Sequence, residues 1–177
     1  PKSPFMKRHK RQKTAVLLDC PDPMFCGDNA MSKRKVFVTS EIWYPALTRF
    51  FDYLEGKTEV IVEICGHYKS DHMSPAPCFG NRNVKYGLTH DMVRQSEYVM
   101  TCNSTAISYA VLYRKPVLFI YSTQLSFDSL LMIEINGMAE MLGTVPINID
   151  NFPEDIEGYL KVDEAKYAAY ESEVLTS

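Results

Sequence analysis

The chain contains 177 residues, of which 46% are hydrophobic and 12% aromatic. A chain of this size and composition buries enough surface to form one domain with its own core. Its formal net charge of −3 argues against a general affinity for nucleic acid. No apolar run is long enough to cross a membrane, and no signal-peptide pattern precedes the first predicted strand. We therefore expect a cytoplasmic protein, with peripheral membrane contact left open as an alternative.

Cysteine and histidine spacing predicts neither a disulfide framework nor a metal site. The cysteines form no CxxC pair and are expected to be buried or incidental thiols in a reducing compartment. The acidic residues likewise show no paired arrangement that requires a divalent cation, so no cofactor and no metal are predicted. The residues concerned are Cys20, Cys26, Cys65, Cys78, Cys102, His9, His67, His72 and His90.

Residues 1–13 are densely basic and contain two prolines, so we predict a linker or a disordered end there. The remaining residues, 14–177, are predicted to form one domain. Short apolar runs predict strands at residues 14–20, 35–39, 58–65, 84–86, 98–102, 116–121 and 145–149. Apolar residues at helical spacing predict helices over residues 40–56, 90–96, 104–114, 126–142, 152–162 and 163–175.

Two residues set the predicted limits of the first helix. Ser40 is a plausible N-cap, but Pro45 lies in the first turns, so the regular part is expected to begin near Pro45. Gly56 is expected to end this helix. Because strands alternate with helices through most of the chain, we predict an α/β fold with a mostly parallel sheet covered on both faces, a Rossmann-like three-layer domain. No GxGxxG or GxxxxGK[ST] motif is present, which argues against a standard dinucleotide site or P-loop.

The segment around which the chain is organised, residues 97–122, predicts a strand, a turn, a helix and a second strand. Its turn carries Asn103, Ser104 and Thr105 at the start of the predicted helix. Unpaired backbone N–H groups and the helix dipole favour an anion at such a place, so a phosphate is one interpretation. The alternative is that these residues only cap the helix, as Asn, Ser and Thr commonly do.

Polar residues also follow the other predicted strands. His67, Lys69 and Ser70 come after residues 58–65, and Gly87 and Thr89 come after residues 84–86. Ligands of open α/β sheets bind beyond the carboxyl ends of the strands, so these residues are candidates for the same site. Asp19, Asp22 and Asp28 in the loop after the first strand are weaker candidates for a local base, because loop aspartates are commonly turn formers.

The order and spacing of five segments across residues 14–150 carry a family resemblance. The segments are LDCPDPMF, EIWYPALTRFFDYLE, ICGHYKS, YGLTHDMV and CNSTAISYAVLYRKPVLFI. Together they resemble the C-terminal, nucleotide-sugar-binding half of bacterial GT-B glycosyltransferases, especially the sialyltransferase-like and Kdo-transferase-like enzymes of capsular polysaccharide and lipopolysaccharide synthesis.

The resemblance implies one half of a GT-B architecture that binds a nucleotide sugar, with a CMP-sugar favoured. The expected location is the cytoplasm, with peripheral contact to the inner membrane as an open alternative. In those enzymes a His-Pro motif and a Ser-Ser or Ser-Thr motif hold the nucleotide sugar without depending on a metal. His67 and the pair Ser104 and Thr105 match these motifs, except that Tyr68 stands in place of the proline. In those enzymes the N-terminal domain binds the glycan acceptor and usually carries the catalytic carboxylate. The resemblance covers only the other domain, so we expect this chain to act as part of a longer enzyme. The alternatives are a stand-alone nucleotide-binding or regulatory module, and a structural assembly protein.

Overall fold

The computed structural model describes residues 12–19, 35–67 and 79–176. These residues form a six-stranded sheet in which every pairing is parallel, with the strand order β3-β2-β1-β4-β5-β6. The strands are β1 (Thr14–Leu18), β2 (Ile61–Cys65), β3 (Val84–Lys85), β4 (Tyr98–Thr101), β5 (Val117–Tyr121) and β6 (Ile147–Asn148). The predicted α/β, Rossmann-like fold is therefore confirmed, and the sheet is wholly parallel.

Helices lie between most of these strands and cover both faces of the sheet. They are α1 (Ser40–Thr58), α2 (Thr89–Gln95), α3 (Ile107–Leu112), α4 (Ser129–Met141) and α5 (Glu164–Tyr170). Hydrogen bonds join Thr58 of α1 to Tyr98 and Thr89 of α2 to Cys65. Tyr98 pairs with Ala15 and Cys65 pairs with Leu18. Because side chains alternate along a strand, these two positions of β1 point to opposite faces, and so α1 and α2 lie on opposite sides of the sheet.

The core explains why the apolar runs become strands and why the sheet is parallel. All four residues of β4 and the first four of β5 are buried. Strands covered on both faces have near-continuous apolar sequences, as these do. From α1 the buried aromatic residues Phe50 and Phe51 add to the same core.

The N-terminal half of the chain corrects three local predictions. Residues 35–39 form no strand; instead the carbonyl of Thr39 accepts hydrogen bonds from Ile42 and Trp43 and starts α1. The helix is regular from Ser40 and contains Pro45, because the first turns bury Trp43 and Tyr44 and the proline ring is on the exposed side. It also continues past Gly56 to Thr58, where Glu59 adopts the left-handed conformation at φ 54°.

The C-terminal half departs from prediction because local capping divides the helices. Residues 126–142 do not form one helix: a 3₁₀ turn, Leu125–Phe127, precedes α4, and the Asp128 side chain caps α4 by accepting from the Leu131 N–H at 3.2 Å. Of the predicted helix over residues 152–162, only the 3₁₀ turn Glu157–Tyr159 forms. The last predicted helix is α5 followed by the π turn Glu171–Leu175.

Some predictions lie outside the described residues. They concern the basic segment up to residue 11 and the following side chains: Cys20, Asp22, Cys26, Asp28, Lys69, Ser70, His72 and Cys78. Cys65 and Cys102 are described and are both buried, as predicted. Among the described helices, none is both long and apolar enough to cross a membrane.

Candidate functional site

The order of the strands places a topological switch point beside β1. The chain passes from β1 to β2 on one side, and it returns from β3 to β4 on the other. The carboxyl ends of β1 and β4 therefore flank the place where connections leave in opposite directions. In open α/β sheets, ligands bind in the crevice at such a point.

Asp19 occupies the first position after β1 at this switch point. Its side chain is nearly buried, with the residue 8% exposed. The Asp19 N–H donates to the Cys65 carbonyl at 3.0 Å, and the Thr101 hydroxyl donates to the Leu18 carbonyl at 3.3 Å. These two bonds tie the carboxyl ends of β1, β2 and β4 together and hold Asp19 between them.

The structure describes six of the eight predicted donor-binding residues: His67, Gly87, Thr89, Asn103, Ser104 and Thr105. All six come shortly after the carboxyl end of β2, β3 or β4. Because β2 and β4 both flank β1, His67 and Ser104 follow strands separated by about two strand spacings, roughly 10 Å. Lys69 and Ser70 lie outside the described residues, as does Asp22.

Directly after β2, Gly66 lies in close contact with the Tyr86 ring. The Gly66 N–H donates to the Lys85 carbonyl at 2.9 Å. A Cβ atom on Gly66 would lie 2.4 Å from Cε1 of Tyr86, which is far inside van der Waals contact. His67 follows directly and is partly buried. Glycine at position 66 therefore leaves room for the Tyr86 ring, and His67 comes two residues after the carboxyl end of β2.

Thr89 contacts the interior of the domain. Its hydroxyl lies 3.2 Å from the Cys65 thiol. Burial raises the pKa of that thiol; the hydrogen bond with Thr89 opposes this rise and the charge of Asp19 adds to it. The thiol therefore stays protonated at neutral pH, which makes Cys65 unsuitable as a nucleophile. Gly87 precedes Thr89 in an exposed turn at φ +69°, a conformation that glycine adopts without strain.

The turn after β4 is organised by side-chain hydrogen bonds. The Thr101 hydroxyl accepts from the Ser104 N–H at 3.2 Å, and the Ser104 hydroxyl accepts from the Ala106 N–H at 3.2 Å. Residues 104–106 form a hydrogen-bonded turn and α3 begins only at Ile107, which corrects the predicted helix start. Ser104 thus acts as a cap for this turn. A hydroxyl that accepts one bond still has its own proton, so the Ser104 O–H retains a donor for a ligand.

Neighbours of Ser104 differ in how they are held. Asn103 donates from Nδ2 to Oε2 of Glu134 on α4 at 3.0 Å. Thr105 is exposed at the surface. The amide is therefore positioned against a helix, whereas the Thr105 hydroxyl faces solvent.

Sequence reasoning missed several polar residues at this edge. Ser122 follows β5, is fully buried and accepts from the Leu125 N–H at 3.1 Å. Gln124 places its Oε1 atom in a buried position where, within the described part of the chain, no hydrogen-bond partner reaches it. Ser122 was recognisable as a polar residue after an apolar run, the same signal that identified His67. Glu134 had no such signal, since it lies 31 positions from the Asn103 it holds.

At the carboxyl edge of the sheet, residues that can donate hydrogen bonds follow the strands on either side of Asp19. The turn after β4 contains a hydroxyl and an amide, His67 follows β2, and Asp19 follows β1, the strand between these two. Such donors suit an anion with a polar organic part, as in a nucleotide.

Over the described ranges, no three His, Cys, Asp or Glu residues cluster in a way that would hold a metal ion. No known family model, curated protein or solved structure matches the chain.

Proposed function

We propose that this chain is the donor-binding domain of a glycosyltransferase that uses a nucleotide sugar, with a CMP-sugar favoured, in capsular polysaccharide or lipopolysaccharide synthesis. The single observation that supports it most is the switch point between β1 and β4. There, the residues that match the family's two motifs, His67 and Ser104, follow strands on either side of β1. Because these strand pairings are parallel, both residues follow strand ends at the same end of the sheet.

The chemistry of the proposed site is recognition of the donor phosphate. In sugar transfer, negative charge grows on the phosphate as the glycosidic bond breaks, and preorganised donors stabilise it. Ser104 is held by its bond with Ala106 and offers its O–H, and Thr105 adds an exposed hydroxyl beside it. Among the described candidates, His67 alone can carry a positive charge. Asp19 is the described candidate for a base, and the acceptor is assigned to a partner domain of the GT-B type.

Calorimetry with CMP, UDP and GDP on the intact chain tests the proposal. We expect CMP to bind, and the double variant Ser104→Ala, Thr105→Ala to bind it at least about tenfold more weakly, since hydrogen bonds to a charged group contribute about 1.5–3 kcal/mol each. His67→Ala is expected to weaken binding as well. If the turn is only a helix cap, the double variant loses about 0.5–2 kcal/mol of stability per cap and keeps its nucleotide affinity.

A control variant tests whether the loss of CMP affinity is specific to the turn after β4 or follows the removal of any two hydroxyls. Ser172 in the C-terminal π turn and Thr176 directly after it carry the same two hydroxyls, which donate to the backbone carbonyls of Ala169 and Ser172. The double variant Ser172→Ala, Thr176→Ala should bind CMP as the unmodified chain does. A folded chain that binds none of the three nucleotides would remove the proposal, and equal affinity for CMP and a CMP-sugar would favour a nucleotide-binding module without transfer.

A further inference from the structure

One face of α4 is apolar and exposed. Together with the turn that precedes the helix, it carries Phe127, Leu130, Ile133, Gly137 and Met141, which we call the α4 stripe. Phe127 and Ile133 are each 69% exposed, Leu130 is 61% exposed and Met141 is 43% exposed. The intervals of three and four residues place them on one side of the helix.

The opposite side of α4 already fills the core. Leu131, Ile135 and Ala139 are buried against the domain. The helix is therefore apolar on two sides, although a helix at the surface of a monomer normally turns a polar face to water. An exposed helix face of this composition is typical of an interaction site.

The charges in the stretch of sequence that contains the α4 stripe argue against two kinds of partner. Between Lys115 and Lys161 the sequence contains no Lys, Arg or His and seven acidic residues. Interfacial helices that bind anionic lipid carry basic residues on their polar face, and nucleic acid requires basic residues for its phosphates. The stretch of sequence that contains the stripe has the opposite charge.

The area of the α4 stripe fits a contact between two copies of the same surface. Its four large side chains expose roughly 500 Å², which is at the upper end for a single patch on a monomer. Two such patches facing each other bury about 1,000 Å², and the polar rim brings the total to the lower limit of specific interfaces, about 1,200 Å².

The order of residues along α4 is compatible with a twofold axis. In an isologous interface, residue i contacts j while j contacts i. Two antiparallel α4 helices that cross near residue 135 would place Leu130 beside Met141 and Ile133 beside Gly137. A Cβ atom on Gly137 would meet nothing within 4 Å, so there is open space beside the backbone for a side chain of the other copy. Glu140 of each copy would lie near the first turn of the opposing helix, whose dipole favours a negative charge.

We propose that the chain forms a homodimer in which the α4 stripe packs antiparallel against the α4 stripe of a second copy. The interface is small and apolar. The proposal does not depend on what the carboxyl edge of the sheet binds.

Sedimentation equilibrium of the intact chain, from about 1 to about 100 µM, tests this, because an interface of this size is expected to dissociate in that range. We expect a monomer–dimer equilibrium that weakens by about tenfold or more in Ile133→Asp, since a carboxylate would be buried at the centre of the contact. Leu112→Asp is the matched control. Leu112 is 53% exposed on α3, off the stripe, and its substitution should leave the dimer intact.

A second variant, Gly137→Gln, tests the same interface without adding a charge. Gly137→Gln should weaken the dimer by a similar factor because it fills the space at the axis, without lowering the thermal midpoint of the dilute monomer. A chain that stays monomeric at the highest concentration overturns the proposal, as does a dimer that Ile133→Asp and Gly137→Gln leave unchanged. Binding of the monomer to vesicles of phosphatidylethanolamine and phosphatidylglycerol, lost in Ile133→Asp, would overturn it in favour of a lipid surface.

Discussion

Tyr98 shows how one buried polar group is accommodated between the sheet and α1. It is 2% exposed, and its hydroxyl lies 3.0 Å from that of Thr58. The Thr58 hydroxyl gives its only proton to the Leu54 carbonyl at 2.9 Å, so Tyr98 is the donor in the pair. Burial raises the pKa of Tyr98 to about 12 from its usual value near 10. The neutral phenol is therefore part of the folded state.

This raised pKa predicts a loss of stability at alkaline pH. The contribution of Tyr98 is fully present below pH 10 and is lost as the pH rises from about 10 to about 12, which corresponds to about 2–3 kcal/mol. Tyr98→Phe should reduce the alkaline fall in the free energy of unfolding, because no proton is then released at this site. The measurement is urea unfolding at several pH values between about 8 and 11, and Tyr109→Phe, at an exposed phenol, is the control. An identical alkaline fall in Tyr98→Phe would contradict the argument.

At the scale of elements, the end of α4 and the start of α5 determine each other. Gly143 follows α4 at φ +71°, and an added Cβ atom would lie 2.8 Å from the Cβ atom of Asp163. Asp163 in turn caps α5 by accepting from the Lys166 N–H at 3.1 Å. The glycine therefore allows the left-handed turn and also allows the cap of the next helix to pack against it.

Gly143→Ala is predicted to be destabilising for both reasons. Strain at positive φ and contact with a Cβ atom that cannot rotate away together should lower the free energy of unfolding by about 1–3 kcal/mol. Gly56→Ala is the control, since nothing lies within 4 Å of its added Cβ and it is in the last turn of α1. That change should be neutral or stabilising by up to about 1 kcal/mol. Thermal unfolding of the two variants compares them directly, and equal midpoints would be inconsistent with the packing described.

At the scale of the whole molecule, the chain after β6 contacts both helical layers in turn. Phe152 packs on Tyr53 of α1, with ring centroids 4.4 Å apart, and the Tyr53 hydroxyl donates to the Pro153 carbonyl. Further along, the Tyr167 hydroxyl donates to the Lys115 carbonyl at 2.8 Å, and Tyr170 bonds to Ser108 of α3 at 3.1 Å. The C-terminal segment thereby connects α1 to the helices on the other face of the sheet.

Removal of residues 163–177 is predicted to destabilise the entire domain. Tyr167 and Tyr170 are both buried, and losing them should cost about 3–6 kcal/mol at about 1.5–3 kcal/mol for each side chain. Urea unfolding should show a single transition at a much lower midpoint. Removal of residues 176–177 alone is the control and should change stability by less than about 0.5 kcal/mol. A transition at the original midpoint in the longer deletion would show that the segment is not part of the cooperative unit.

The predictions from sequence succeeded where a local signal was sufficient. Apolar runs located the central strands β1, β4 and β5, since a strand buried on both faces is apolar along most of its length. Local sequence failed to predict helix limits that depend on contacts with other parts of the chain. Helix α1 continues through Pro45 because its first turns bury Trp43 and Tyr44. The helix predicted over residues 126–142 is interrupted because Asp128 caps a new start.

For the candidate site, the sequence by itself determined which polar residues follow strands, because a polar residue after an apolar run is visible in the sequence. Only the tertiary structure decided which of those strand ends are neighbours. The order β3-β2-β1-β4-β5-β6 brings Gly66 and His67 to one side of Asp19, and Cys102 to Ser104 to the other. Contacts between a strand end and a helix, Asn103 with Glu134 and Thr89 with Cys65, are likewise visible only in the folded chain. The physical reason is that strand order depends on backbone pairing between segments far apart in the chain, and no spacing within one segment encodes it.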